Sequence, residues 1–207
     1  MILKIDDAEL AKVPREGPLI AAANHVNFLD APVLITHLYP RKTTGLVKKE
    51  TWDKPFLAFL FNLWEGIPID RDIADFVAFK QAKQALKDKK ILAVTPEGTR
   101  SEDGQLKRGK PGISILASKT DAPIIPIAYW GHENFIRNIK RLKRTPMNIK
   151  VGKTFRLNFS GKTKSKELMQ DAADAVLLEI KKLLPEKYHG VYSEISIEDE
   201  SLIQFLD

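Results

Sequence analysis

The chain contains no cysteine. That absence excludes a disulfide framework, a thiolate nucleophile and a cysteine-ligated metal, and it fits a reducing, cytoplasmic setting. Long apolar runs are missing too. The longest, Phe56 to Trp64, is interrupted by Asn62 and flanked by Lys54 and Glu65. It reaches about half of the ~20 residues that a membrane-spanning helix needs. Residues 1–7 lack the apolar core of a secretory signal. There is no internal repeat, no low-complexity linker and no cluster of His, Asp and Glu at metal-ligand spacing. The expectation is a chain that can lie on a membrane but not cross it, with no bound metal.

What is present is ordinary globular material. The 207 residues are 43% hydrophobic and 29% charged, enough for one domain with its own core. A net charge of +6 suits anionic lipid, nucleic acid, acidic proteins or phosphorylated substrates, and charge alone does not choose among them. Residues 137–144 hold five cations in eight positions. Nucleic-acid modules interleave such charges with aromatic platforms, and this cluster contains none, so no nucleic acid is expected. An anionic membrane surface or an acidic carrier protein fits it better.

Short β-like runs alternate with helical ones, which predicts an α/β domain with a mixed, mostly parallel central sheet flanked by helices. Leu19–Ala23, Thr43–Val47, Ile91–Thr95 and Ile124–Ala128 read as buried strands. Met147–Val151 and Thr154–Leu157, joined through Gly152, read as a later strand pair or hairpin. A helix capped by Asp72 is expected to carry Ile73, Phe76, Val77 and Leu86 on one stripe. Pro111 suits the first turn of another, bearing Ile113, Leu116 and Ala117. Residues 165–184 form the strongest helical pattern, stopped by Pro185. An acidic tail, 186–207, follows. The all-round apolar segment 55–64 reads as buried core by default, or as the wall of an acyl groove or an interfacial helix.

His25 and Asp30 form the first chemical pair. Positions five apart diverge by about 140° on a continuous helix, so the two meet only if a helix begins near Asp30. Pro32, tolerated in a first turn, favours that start and leaves His25 in the preceding loop. A carboxylate so placed fixes the imidazole tautomer and stabilises its protonated form, which makes His25 a general base for a substrate hydroxyl. The same pair is also compatible with a plain helix cap. His37, His132 and His189 stand alone in the sequence and read as structural or solvated.

The second group is Pro96-Glu97-Gly98-Thr99-Arg100-Ser101, directly after a strand-like run, where open α/β sheets place their ligands. Gly98 permits close backbone approach, Thr99 donates a hydrogen bond and Arg100 grips phosphate bidentately. Glu97, an anion itself, orients Arg100 or a neighbouring loop. Asp70 and Arg71, with Lys48 and Lys49, add charge that the same sheet edge can gather. Taken singly, each of these also reads as an ordinary surface charge.

Their order is more specific than any one of them. Asn24-His25-x4-Asp30, Lys48-Lys49-Glu50, Gly66-Ile67-Pro68-Ile69-Asp70-Arg71, Pro96 to Ser101 and Pro123-Ile124-Ile125-Pro126 fall in sequence across residues 17–157. This arrangement closely resembles the glycerolipid acyltransferase family of the 1-acylglycerol-3-phosphate (lysophosphatidate) type. The resemblance implies His25 and Asp30 as the catalytic pair. It implies substrate binding by Lys48, Asp70, Arg71, Glu97, Gly98, Thr99 and Arg100, and an acyl-lining role for Pro123–Pro126. It further implies a lysophospholipid acceptor, acyl-CoA or acyl carrier protein as donor, no cofactor or metal, and peripheral attachment to the cytoplasmic face of a membrane. Acylation of a different lysolipid and non-catalytic lipid binding are the alternatives. Asn27 stands where the family commonly has serine, and Thr95 where it often has an aromatic residue.

Overall fold

The computed structural model describes residues 3–70, 75–197 and 199–206. In chain order the strands are β1 (Leu3–Asp6), β2 (Leu19–Ala23), β3 (Thr43–Lys48), β4 (Ile67–Ile69), β5 (Ile91–Val94), β6 (Ile124–Trp130), β7 (Thr145–Val151), β8 (Phe155–Leu157) and β9 (Ile203–Phe205). The helices are α1 (Asp30–His37), α2 (Pro55–Leu63), α3 (Phe76–Lys87), α4 (Gly112–Thr120), α5 (Phe135–Lys140) and α6 (Lys166–Lys181). The sheet runs β1-β7-β6-β2-β5-β3-β4. All neighbours along that path are parallel except β6 and β7. The α/β class and the mostly parallel sheet are thus as the sequence predicts.

Side chains alternate across a strand, and β2 divides the core accordingly. Ile20 and Ala22 face a cluster built with α3, α4 and α6. Leu19, Ala21 and Ala23 face another that includes Val33 and Leu34 of α1. With both faces covered, β2 has no polar side and reads as an unbroken apolar run.

Three expectations need correction. Residues 147–157 are not a hairpin. Both β7 and β8 pair with β6, through Ile127↔Val151 and Ile124↔Phe155, and a break at Gly152 separates them. Pro126 explains the break. A residue's N–H and C=O project to the same side of a strand, and the Pro126 carbonyl accepts from Gly152 N at 2.9 Å. The donor that proline lacks therefore falls where the ladder is interrupted, which is how a sheet tolerates an interior proline.

The second correction concerns α3. Its cap is Asp75, whose Oδ1 accepts from Ala78 N at 2.9 Å. Asp72 and Ile73 lie outside the described residues. The helix buries Ala78, Ala82, Ala85 and Leu86 and leaves Phe76 and Val77 exposed. Its true buried stripe is mostly alanine, so bulky apolar residues pointed to the wrong face. The third concerns α2, which buries none of its residues. The core reading of 55–64 is wrong.

Ser165 caps α6 through its Oγ, which accepts from Leu168 N at 3.1 Å. The tail beyond is structured. Tyr192 is buried; its hydroxyl donates to Asp174 Oδ1 at 2.6 Å and accepts from Gly109 N at 3.0 Å. Leu106 N donates to Tyr188 O, and Val191 N to Leu106 O. β9 then pairs with β8. The tail thereby anchors residues 106–109, which bear on the site.

Candidate active site

The carboxyl ends of the parallel strands gather nearly every residue singled out above. His25 lies just past β2, Lys48 ends β3, Asp70 follows β4, Thr95 to Arg100 follow β5 and His132 follows β6. Ligand sites of open α/β sheets form at this rim.

Asn24 begins the departure from the sheet. Its Nδ2 donates to Tyr129 O at 2.8 Å and its Oδ1 accepts from Tyr129 N at 2.7 Å. The side chain thus continues the β2–β6 ladder while the main chain peels away. α1 starts at Asp30, as Pro32 suggested, and the carboxylate reaches back into the loop. Asp30 Oδ2 lies 2.8 Å from His25 Nδ1 and accepts from the N–H groups of Val26 at 2.8 Å and Asn27 at 3.0 Å. Its other oxygen, Oδ1, lies 2.6 Å from His132 Nε2. Asn27 Oδ1 accepts from Leu29 N at 2.9 Å, a turn that serine at this position could also make.

Asp30 is 3% exposed and His132 is fully buried, whereas the His25 side chain keeps 12% exposure. Burial alone pushes the Asp30 carboxyl upward. Hydrogen bonds from His132 and His25 outweigh that and hold it below its ordinary value, so it is an anion. With Nδ1 of His25 committed to this anion, Nε2 is the ring atom left to receive a proton.

Gly98 turns the 96–101 loop with φ +68° and donates to Thr95 O at 3.0 Å, a conformation that suits glycine. Ser101 N donates to His25 O at 2.8 Å, which sets this loop directly against the histidine. Thr99 and Arg100 are exposed beside it. Glu97 is 2% exposed and braces loops; it is not part of the open wall. Its Oε1 accepts from His25 N at 2.9 Å and its Oε2 from Lys107 N at 2.8 Å. Burial pushes its carboxyl up to about 7, against the pull of those two N–H groups. Lys107 Nζ also donates to Arg100 O at 2.7 Å.

At the far end of the rim, Lys48 is exposed and pairs with Glu50 at 3.4 Å, while Lys49 pairs with Asp70 at 2.5 Å. Arg71 lies outside the described residues. β3 pairs with β5 only as far as Gly45↔Ala93; from Leu46 onward it pairs with β4. A cavity lies on each side of this fork. One of about 230 Å³ is lined by Ile69, Asp70, Phe79, Gly98 and Lys110. A smaller one of about 70 Å³ is lined by His25, Asp30, Leu34, Phe61 and Tyr129. Leu46, Val94 and Thr95 line both. Residues 123–126 line neither cavity, and Ile124 and Ile125 are buried inside β6.

Sequence reasoning passed over His132, Lys107 and Lys110. The stem of Lys110 covers Gly98, where an added Cβ would lie 3.1 Å from Cδ. His132 was discoverable: it follows the strand next to β2 in a parallel pair, so the loops bearing the two histidines leave the same edge of the sheet.

The sheet, its rim and the apolar cavities beside a histidine–aspartate pair define an α/β protein with its candidate site at the carboxyl ends of parallel strands. The acyltransferase family model matches residues 4–130, and the chain belongs to that family. It is 34% identical over 135 residues to the 1-acyl-sn-glycerol-3-phosphate acyltransferase of Limnanthes douglasii, covering 63% of this chain and 48% of that one. It is 26% identical over 172 residues to the Bacillus subtilis enzyme of the same name, covering 83% of each. The chain therefore spans about half the length of the plant relative and most of the bacterial one. In fold it is similar to the 1-acyl-sn-glycerophosphate acyltransferase of Thermotoga maritima, with a TM-score of 0.63, 22% identity, and coverage of 87% of this chain and 70% of that one.

Glu97 carries a consequence for stability. A carboxyl whose folded value is raised from 4.5 to about 7 favours the folded state fully below 4.5, and that contribution is lost as pH rises through 7. The size is at most roughly 3 kcal/mol. Urea unfolding of wild type and Glu97→Gln across this window should show a decline with rising pH that the variant lacks. Parallel profiles would contradict the assignment.

Proposed function

We propose that this protein transfers a fatty acyl group from an acyl thioester, carried by coenzyme A or acyl carrier protein, to the free hydroxyl of 1-acylglycerol-3-phosphate, giving phosphatidate. The observation that carries this reading is the His25 ring, paired through Nδ1 with a buried carboxylate, partly exposed and lining a cavity, with the Arg100 turn bonded to its main chain. The names of the plant and bacterial relatives support the acceptor.

In the reaction, His25 Nε2 takes the proton of the acceptor hydroxyl as its oxygen attacks the thioester carbonyl. The resulting imidazolium is stabilised by the Asp30 anion and returns the proton to the leaving thiolate. A thiol of pKa about 8.5 leaves readily, so no covalent acyl-enzyme is required and no cofactor takes part. Arg100 and Thr99, with Lys48 and Arg71, hold the phosphate, while the cavities on either side of the β3–β5 fork receive apolar chains.

Wild type, His25→Ala and Arg100→Ala should be assayed with acyl-CoA and acyl carrier protein donors against phosphorylated and neutral lysolipids. His25→Ala should lose turnover by about 10²- to 10⁴-fold while still binding lipid. Arg100→Ala should impair phosphorylated acceptors selectively. Wild-type turnover in His25→Ala, or thioester hydrolysis with no acceptor acylated, would end this reading; equal losses on both acceptor types would remove Arg100 as the anchor.

The same reading places the protein peripherally on the cytoplasmic face of a membrane. Phe56, Phe59 and Leu63 of α2 are 71%, 65% and 67% exposed, while Trp52 and Trp64 pack against Phe61 of the same helix. None of the described helices is long and apolar enough to cross a membrane. An exposed apolar helical face suits the headgroup boundary, and basic residues 137–144 add about 1 kcal/mol per charge toward anionic lipid. Sedimentation with anionic vesicles should show binding that weakens at high salt. No binding at either salt concentration would refute it.

A further inference from the structure

The geometry points to His132 as a positioning residue for the proposed acyl transfer, acting through Asp30 on His25. This rests on the reading above, because it assigns His132 a part in the same chemistry.

Asp30 cannot hold the base with one oxygen while the other is left unpaired in the interior. Its Oδ2 is shared among His25 Nδ1 and the Val26 and Asn27 N–H groups. Oδ1 meets His132 Nε2 at 2.6 Å, and His132 has no exposed surface. The other ring nitrogen of His132, Nδ1, is buried with no hydrogen-bond partner among the described residues, so among them the ring makes its polar contact with Asp30. A histidine serving only to fill space would not need so short a bond to a buried anion.

The His132 backbone is held as firmly as its ring. Its carbonyl accepts from Asn27 Nδ2 at 2.8 Å and from Phe135 N at 3.1 Å, which ties the loop after β6 to the loop carrying His25. The preceding residue, Gly131, has φ +97°, and a Cβ there would lie 2.9 Å from Asn148 Nδ2. That turn brings the ring back over the rim. The two carboxylate oxygens are thus gripped from opposite sides, by β6's loop and by β2's loop. The carboxylate plane, and with it the direction of His25 Nε2, is set by both.

The test compares His132→Gln with His132→Asn, measuring kcat and KM for both substrates and thermal melting. Glutamine can present an N–H near the position of Nε2, and asparagine stops short of it, although both are polar and of tolerable size. Positioning predicts that His132→Gln stays close to wild type. His132→Asn should lose kcat by up to about 10²-fold with both KM values unchanged, the cost of misplacing a reacting group by about 1 Å. Folded Gln and Asn variants with equal kcat would overturn the inference, as would a loss in His132→Asn explained wholly by fewer folded molecules. His25→Ala, run alongside, separates the two levels. If it is inactive while both His132 variants behave as wild type, only the His132 role falls; if it is active, the acyl-transfer reading falls as well.

Discussion

The Asp30 carboxylate is the junction on which the rim of this sheet depends. Three N–H groups converge on one oxygen and His132 meets the other, all within 3.0 Å. Leaving a buried anion short of such partners costs several kcal/mol, so the loops after β2 and β6 and the start of α1 cannot shift independently. A single acidic side chain therefore fixes the histidine's tautomer, its direction and the path of the chain around it.

A second set of contacts carries this order outward. Glu97 joins the His25 and Lys107 main chains, and Ser101 joins its own loop to His25. Residues 106–109 are held in turn by Tyr188, Val191 and the Tyr192 hydroxyl. The tail, which offered no chemical signal in the sequence, thus braces the turn that presents Arg100. In the proposed reaction this matters because the distance between a base and a phosphate anchor must match one substrate, and effective concentration falls quickly when it does not.

Much of this was legible in advance. The five-residue spacing of His25 and Asp30 with Pro32 placed a helix start correctly, and strand-like runs located the rim where ligands gather. Other features were hidden for physical reasons. His132 lies 102 residues from Asp30 and nothing local marks it; only the parallel pairing of β2 with β6 brings it to the carboxylate that starts α1. α3 packs through alanines, which carry little periodic signal beside exposed Phe76 and Val77. The short strands β4 and β9 are defined by pairing and not by composition, since three residues cannot show an alternation, whereas β1 does alternate, Leu3-Lys4-Ile5-Asp6, but over only four residues. The break at Gly152 follows from a proline on the neighbouring strand.

The tautomer of His25 tests the central claim most directly. An ionised Asp30 can only accept, so Nδ1 must carry the ring proton and Nε2 must be bare. Nitrogen-15 spectra of histidine-labelled protein at about pH 8, above the ~6.5 of an ordinary imidazole, read this out. One ring, identified by its absence in His25→Ala, should show a protonated Nδ1 with a far-downfield proton and an unprotonated Nε2. A proton on Nε2 instead would mean that the carboxylate does not organise the histidine as described.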